Sequence, residues 1–307
     1  MNSKVIEVQG LTKEYGNGKG IFDVSIEVGK GEVFGFLGPN GAGKTTTIRH
    51  LMGFIRPDKG NCFINGMDCY EKAEKIQEGL GYLAGEIAFL DDLSGKEMLE
   101  FIAEMKGIKD RSRITELMER FELDPKGKIK KMSKGMKQKL GIISAFMNDP
   151  QVIILDEPTS GLDPLMQNRF IELILEEKQK GKTIFMSSHI FEEIEKTCDR
   201  VAIIKEGKII SVEDMATLKA HKRKSYIVTF KSKQEAEDFV AQGAREKETK
   251  ENGYDVKVIK DNQVEVTIGK EINTFLASLS KYQIQDLDVK VQTLEELFLH
   301  FYGGDKA

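Results

Sequence analysis

Residues 32–53 read EVFGFLGPNGAGKTTTIRHLMG, and the fold turns on how the middle of that stretch is understood. "EVFGFL" (32–37) is a continuous apolar run, the pattern of a strand buried on both faces of a mainly parallel sheet. "GPNGAGKTT" (38–46) then satisfies the spacing GxxxxGK[ST], and "KTTTIRHLMG" continues with helical periodicity. A strand before and a helix after are the context in which that spacing marks a phosphate loop. Gly38, Gly41 and Gly43 let the backbone turn tightly, so that successive N–H groups and the helix start face one anion. Pro39, Asn40, Ala42 and Thr46 complete the expected nucleotide-binding loop. Lys44 is placed to reach the β- and γ-phosphates, and the Thr45 hydroxyl to bind Mg²⁺. The stretch is expected to hold a nucleoside triphosphate.

A triphosphate site needs carboxylates, and "VIILDE" (152–157) supplies two. An apolar strand ending in Asp156 presents one to the magnesium shell, and Glu157 is placed to orient or deprotonate the attacking water. "TIFMSS" (183–188) is a third apolar run, and residues 4–8 and 21–28 alternate as half-buried strands do. Helical periodicity in 44–53 and in "PLMQNRFIELILEEKQKGK" (164–182) separates the runs, which makes this part an α/β domain. "DDLSGKEMLEFIAEMKG" and "RSRITELMERFEL" carry i, i+3, i+4 apolar spacing and read as part of an inserted helical subdomain, about residues 86–150. The domain is placed at 1–220.

All six prolines lie between Pro39 and Pro164, and the C-terminal part is patterned differently. Strand "SYIVTF", helix "KQEAEDFVAQ", a hairpin of "YDVKVIK" and "QVEVTI" across Asp261-Asn262, helix "EINTFLASLS" and strand "IQDLDVKV" follow in turn. That βαββαβ order, with a final helix "TLEELFLHFY", predicts a small α+β domain over 221–307 of ferredoxin-like type.

The 307 residues suffice for two domains, on a prior of roughly 150 each. With 40% apolar and 31% charged residues the chain can build a core, and its net charge of -4 is unlike that of most nucleic-acid-binding domains. Cys62, Cys69 and Cys198 show no CxxC spacing, so neither a disulfide framework nor a zinc site is expected. The segment "MNSKVIEVQG" lacks the apolar core of a secretory signal, and no run of 18 apolar residues predicts a membrane span.

Taken in order, "GPNGAGKTT", "LDEPTSGLDP" and "SSHIFEEIEKTCDRV" resemble an ATP-binding cassette ATPase, the nucleotide-binding subunit of an ABC transporter, over residues 4 to about 215. The resemblance implies a mixed-sheet P-loop NTPase fold in which two subunits sandwich ATP and Mg²⁺. It gives a role to "KGKIKKMSKGMKQKLG" (126–141), which holds seven lysines and otherwise reads as a solvated helix face. "MSKGM" stands where the family has LSGGQ, so Ser133 and Gly135, expected as a buried pair, would touch the γ-phosphate held by the opposite subunit; a helix N-terminus suits an anion. Lys134 and Met136 depart from that pattern. Tyr15 resembles the aromatic that stacks on adenine, Asp163 the loop that couples the subunits, and His189 the histidine at the γ-phosphate. Where the family has a magnesium-touching glutamine, this chain has Gly85 followed by Glu86, which is a candidate substitute.

A second cassette subunit, most simply another copy, and separate transmembrane permease subunits are the implied partners, with no nucleic acid. The implied location is the cytoplasmic side of the cell membrane, peripheral through those subunits. "TLEELFLHFYGG" resembles the tail of cassette subunits serving ABC-2-type exporters, including drug- and antibiotic-efflux systems. A soluble cassette switch on ribosomes or DNA, and a hydrolysis-impaired regulatory cassette, are the rival readings.

Overall fold

The computed structural model describes residues 3–220, 224–249, 255–268 and 272–291. The chain divides into two compact units, residues 1–216 and 217–307. In the first, β1 (Lys4–Glu14) and β2 (Gly20–Gly29) pair antiparallel, and alternate residues of β2 are buried, as the sequence alternation predicts. The apolar run becomes β3 (Val33–Leu37), buried at every position, and leads into α1 (Lys44–Leu51). β4 (Lys59–Ile64) pairs with β1, and it turns into β5 (Met67–Asp68) through Asn65 and Gly66, both at positive φ as a tight two-residue hairpin requires. α2 (Ala73–Glu78) and β6 (Leu80–Leu83) follow.

Three α-helices then lie in the chain between β6 and the next strand: α3 (Gly95–Met105), α4 (Ser112–Arg120) and α5 (Lys134–Phe146), with a short 3-10 turn at Ile129–Lys131 before α5. Ser94 and Glu97 form a reciprocal capping box that starts α3. The rest of the unit comprises β7 (Val152–Asp156), α6 (Pro164–Gln179), β8 (Thr183–Ser188), α7 (Phe191–Thr197), β9 (Arg200–Lys205) and β10 (Lys208–Asp214). α4 is tied to α6 by ion pairs from Arg113 to Glu177, at 2.6 Å, and from Arg120 to Glu176.

Two sheets result. One is antiparallel, in the order β2-β1-β4-β5; the other runs β10-β9-β3-β8-β7-β6, parallel except for β10. They share a core in which Ile6, Val8, Val24 and Val28 meet Phe34, Phe36, Phe185 and Ile154, with Ile48 and Leu51 of α1 in the same cluster. Each large apolar side chain so buried contributes roughly 1.5–3 kcal/mol. That burial fixes α1 and the ends of β3, β7 and β8, and those ends carry the site.

α8 (Met215–Ala220) precedes the second sheet. β11 (Lys224–Phe230), α9 (Lys233–Thr249), β12 (Asp255–Lys260), β13 (Gln263–Thr267), α10 (Ile272–Leu279) and β14 (Ile284–Val291) realise the βαββαβ order. The sheet is antiparallel throughout, ordered β12-β13-β11-β14, the split arrangement of a ferredoxin-like unit. Tyr226, Val228, Phe230, Phe239, Val264, Val266 and Phe275 form its core. The final helix expected in "TLEELFLHFY" lies outside the described residues.

Candidate active site

The phosphate loop runs from the end of β3 to the start of α1. A Cβ at Gly38 would stand 2.4 Å from the Ile204 carbonyl oxygen, so only glycine fits there. Gly43, at φ 112°, caps α1 in a conformation that favours glycine. Lys44 is 5% exposed and turns back over the loop, donating to the carbonyls of Gly38 at 2.6 Å and Pro39 at 3.2 Å. The Ala42 carbonyl accepts from the Gly207 N–H, which anchors the loop to the β9–β10 turn.

Parallel pairing of β7 and β8 sets Asp156 opposite Ser187. Asp156 is fully buried; its Oδ1 accepts from Ser187 Oγ at 2.5 Å and its Oδ2 from Thr45 Oγ1 at 2.8 Å. Glu157 sits at φ 50°, a left-handed conformation uncommon for glutamate and frequent where a site holds strain. Its N–H donates to Ser187 Oγ at 3.1 Å. Its Oε1 lies 3.0 Å from Lys44 Nζ, an ion pair without the angle of a hydrogen bond. Its Oε2 lies 2.6 Å from His189 Nδ1. An ionised carboxylate only accepts, so Nδ1 donates to it, and Nε2 of the half-exposed imidazole is left for another partner. The Gln138 amide, from α5, donates to the Glu157 and Pro158 carbonyls at 3.3 and 2.7 Å.

Beside these groups lies a cleft of about 570 Å³, lined by Tyr15, Lys19, Asn40, Gly41, Gly43, Lys44, Thr45, Thr46, Glu157 and Glu206. Its volume is in the range of small-molecule sites. Tyr15 is 56% exposed, an aromatic face open to a ligand. The structure therefore brings Tyr15, the phosphate loop, Asp156, Glu157 and His189 into one place. Ser187, Gln138, Lys19 and Glu206 join them without having been singled out in the sequence.

Ser133, Gly135 and Asp163 do not line that cleft. Ser133 caps α5 and accepts from the Met136 N–H at 3.2 Å, and it is exposed, where the sequence suggests burial. An N-cap residue stands at the open end of its helix, which leaves its side chain in solvent. Gly135 is half-buried, and a Cβ on it would come within 2.7 Å of the Gly161 carbonyl oxygen. Lys134 Nζ donates to Ser160 Oγ at 2.9 Å, and Asp163 caps α6 through the Met166 N–H at 3.0 Å. The helix start and the 157–163 loop thus form one connected outer surface.

Gly85, just past β6, is packed against the Asp156 carboxylate: a Cβ there would lie 2.9 Å from Oδ2. Glu86 is exposed and, among the described residues, makes no hydrogen bond or ion pair. The cysteines are free and buried, with burial pushing the Cys62 and Cys198 thiols up to about 12. Among the described residues no cluster of three or more His, Cys, Asp or Glu is arranged to hold a metal ion. Among them, too, no helix is long and apolar enough to cross a membrane.

The fold and this site define a P-loop ATPase. The ABC transporter family matches residues 21–160. The ABC transporter ATP-binding protein YhcH of Bacillus subtilis is 34% identical over 98% of this chain and 97% of its own length. The bacitracin transport ATP-binding protein BcrA of Bacillus licheniformis is 40% identical over 225 residues, 72% of this chain and 74% of its own. A solved ATP-binding subunit of an ABC transporter superposes with a TM-score of 0.65 at 32% identity, covering 70% of this chain and 92% of that one. This chain belongs to the ATP-binding proteins of ABC transporters.

Proposed function

We propose that the chain is the ATP-hydrolysing half of an exporter motor, in which two copies close around two ATP and drive separate membrane subunits. The observation that carries the hydrolytic reading is the convergence of Lys44, Glu157 and His189, joined by contacts of 3.0 and 2.6 Å beside the phosphate loop. The Lys44 ammonium is the group that takes the phosphates, and in doing so it gives up Glu157. The freed carboxylate, still held by His189, orients the attacking water and accepts its proton. His189 steadies that water and the γ-phosphate.

Thr45 and Asp156 offer two hard oxygen donors 2.8 Å apart, a set that suits Mg²⁺. The ion would neutralise charge developing on the phosphates. A site with one carboxylate and one hydroxyl agrees with an ion held otherwise by substrate and water. Tyr15 stacks on the base.

Each chain supplies the phosphate loop of one site and the Ser133–Gly135 helix start of the other, so neither site is complete in a single copy. Closure is driven by ligand that binds only the closed arrangement well. Export is supported by the similarity to a bacitracin transport protein, and a motor of this kind works at the cytoplasmic face of the membrane, bound to permease subunits. Phosphate release measured against ATP concentration tests the reading. The expected curve is sigmoidal and collapses in Ser133→Arg; a hyperbolic curve indifferent to that change would contradict it.

A further inference from the structure

The contact between Glu157 and His189 joins the ends of two neighbouring strands, and one side chain holds both ends from behind. Glu193, on α7, is 4% exposed. Its two carboxylate oxygens are engaged separately. Thr159 Oγ1, two residues past Glu157, donates to Oε1. Ser188 Oγ, next to His189, donates to Oε2 at 2.9 Å and itself accepts from the Ile190 N–H at 2.9 Å. Thr159 is 3% exposed and Ser188 fully buried.

Among the described residues no lysine or arginine pairs with Glu193. A carboxyl group buried without a cation is costly, and a buried polar group of this kind calls for a reason. Burial pushes this carboxyl up, the Thr159 and Ser188 hydroxyls pull it down, and the Glu157 charge adds to the rise. The groups it serves are the two hydroxyls that flank the reactive pair.

We infer that Glu193 is a positioning residue for hydrolysis: by bridging Thr159 and Ser188 it holds the Glu157 loop and the His189 strand end at the spacing at which their 2.6 Å contact forms. The inference rests on the roles proposed above for Glu157 and His189. Lys44 and the phosphate loop make no bond to Glu193, so nucleotide binding is independent of it. Misplacing a reacting group by about 1 Å costs about 100-fold in rate.

The test is steady-state ATP hydrolysis, with thermal unfolding alongside, on the full chain carrying Glu193→Ala, Glu193→Gln, Ser188→Ala or Thr159→Val. Glu193→Ala is expected to lose about 100-fold in kcat with the KM for ATP unchanged. Glu193→Gln, whose amide can serve both hydroxyls, is expected to restore most of that rate. Ser188→Ala is expected to lower kcat and to add nothing further on top of Glu193→Ala. A Glu193→Ala protein that loses only melting temperature, one whose KM rises in step with the fall in kcat, or a Glu193→Gln protein as slow as the alanine variant overturns the inference. If Glu193→Ala does not fold, an unchanged kcat in both Ser188→Ala and Thr159→Val overturns it instead. Glu157→Gln in the same series separates the layers: a normal rate there defeats the reading of Glu157, whereas a dead Glu157→Gln beside an unaffected Glu193 series defeats this inference alone.

Discussion

On the proposed reading the chain carries two phosphate-directed surfaces, and they are built in opposite ways. Around the phosphate loop, Lys44 and Asp156 are buried, and Thr45, Ser187, Glu157 and His189 close the contacts within one chain. At the start of α5, Ser133 and Lys134 are exposed; Ser133 bonds to its own turn, Lys134 to Ser160 and Lys137 to Asp91. The first surface is buried and held by its own contacts; the second is an exposed edge. On the proposed reading one chain binds nucleotide alone, and a second chain completes the catalytic enclosure.

That contrast can be broken from either side. Glu157→Gln removes the proton acceptor from the self-contained surface and is expected to lower kcat by about 10²–10⁴-fold while ATP still binds, measured by single-turnover hydrolysis and equilibrium binding. Ser133→Arg is expected to cost about 10²-fold in rate, the order lost with one transition-state donor, while the affinity of the monomer for ATP stays unchanged. Equal loss of binding in Ser133→Arg would erase the distinction between the surfaces. Gly85→Gln sharpens the buried side: a side chain there presses on Asp156, so about tenfold more Mg²⁺ is expected for half-maximal activity in a metal titration. Asp163→Ala, on the outer edge, is expected to cost about 1 kcal/mol of stability in urea unfolding through loss of the α6 cap, with the monomer's ATP affinity untouched.

The self-contained surface was the more legible in sequence. Its motifs sit at strand ends, where an apolar run followed by glycine or acidic residues declares both the element and the chemistry; β7 and β8 fall on the residues read as "VIILD" and "TIFMSS". Contacts that depend on strand order were not legible. Nothing local places Gly85 against Asp156, because that approach requires β6 to lie beside β7. The same holds for Ser187 on Asp156 and for Gln138 on the Glu157 carbonyl, each joining distant elements. β6 has only four residues and little periodicity to detect. β9 and β10 turn at Glu206-Gly207 within "VAIIKEGKII", a stretch that carries no motif. Ser133 is exposed for a physical reason: as the cap of α5 it stands outside the helix, with its hydroxyl oxygen accepting from the Met136 N–H.

The most direct test of the account is light scattering after size exclusion of Glu157→Gln, with and without ATP, and with Ser133→Arg added. The expected result is a monomer without ATP, a dimer with ATP, and a monomer that still binds ATP once Ser133→Arg is present. A Glu157→Gln protein that binds ATP and stays monomeric, or a dimer indifferent to Ser133→Arg, would contradict the claim that the exposed helix start completes the partner's site.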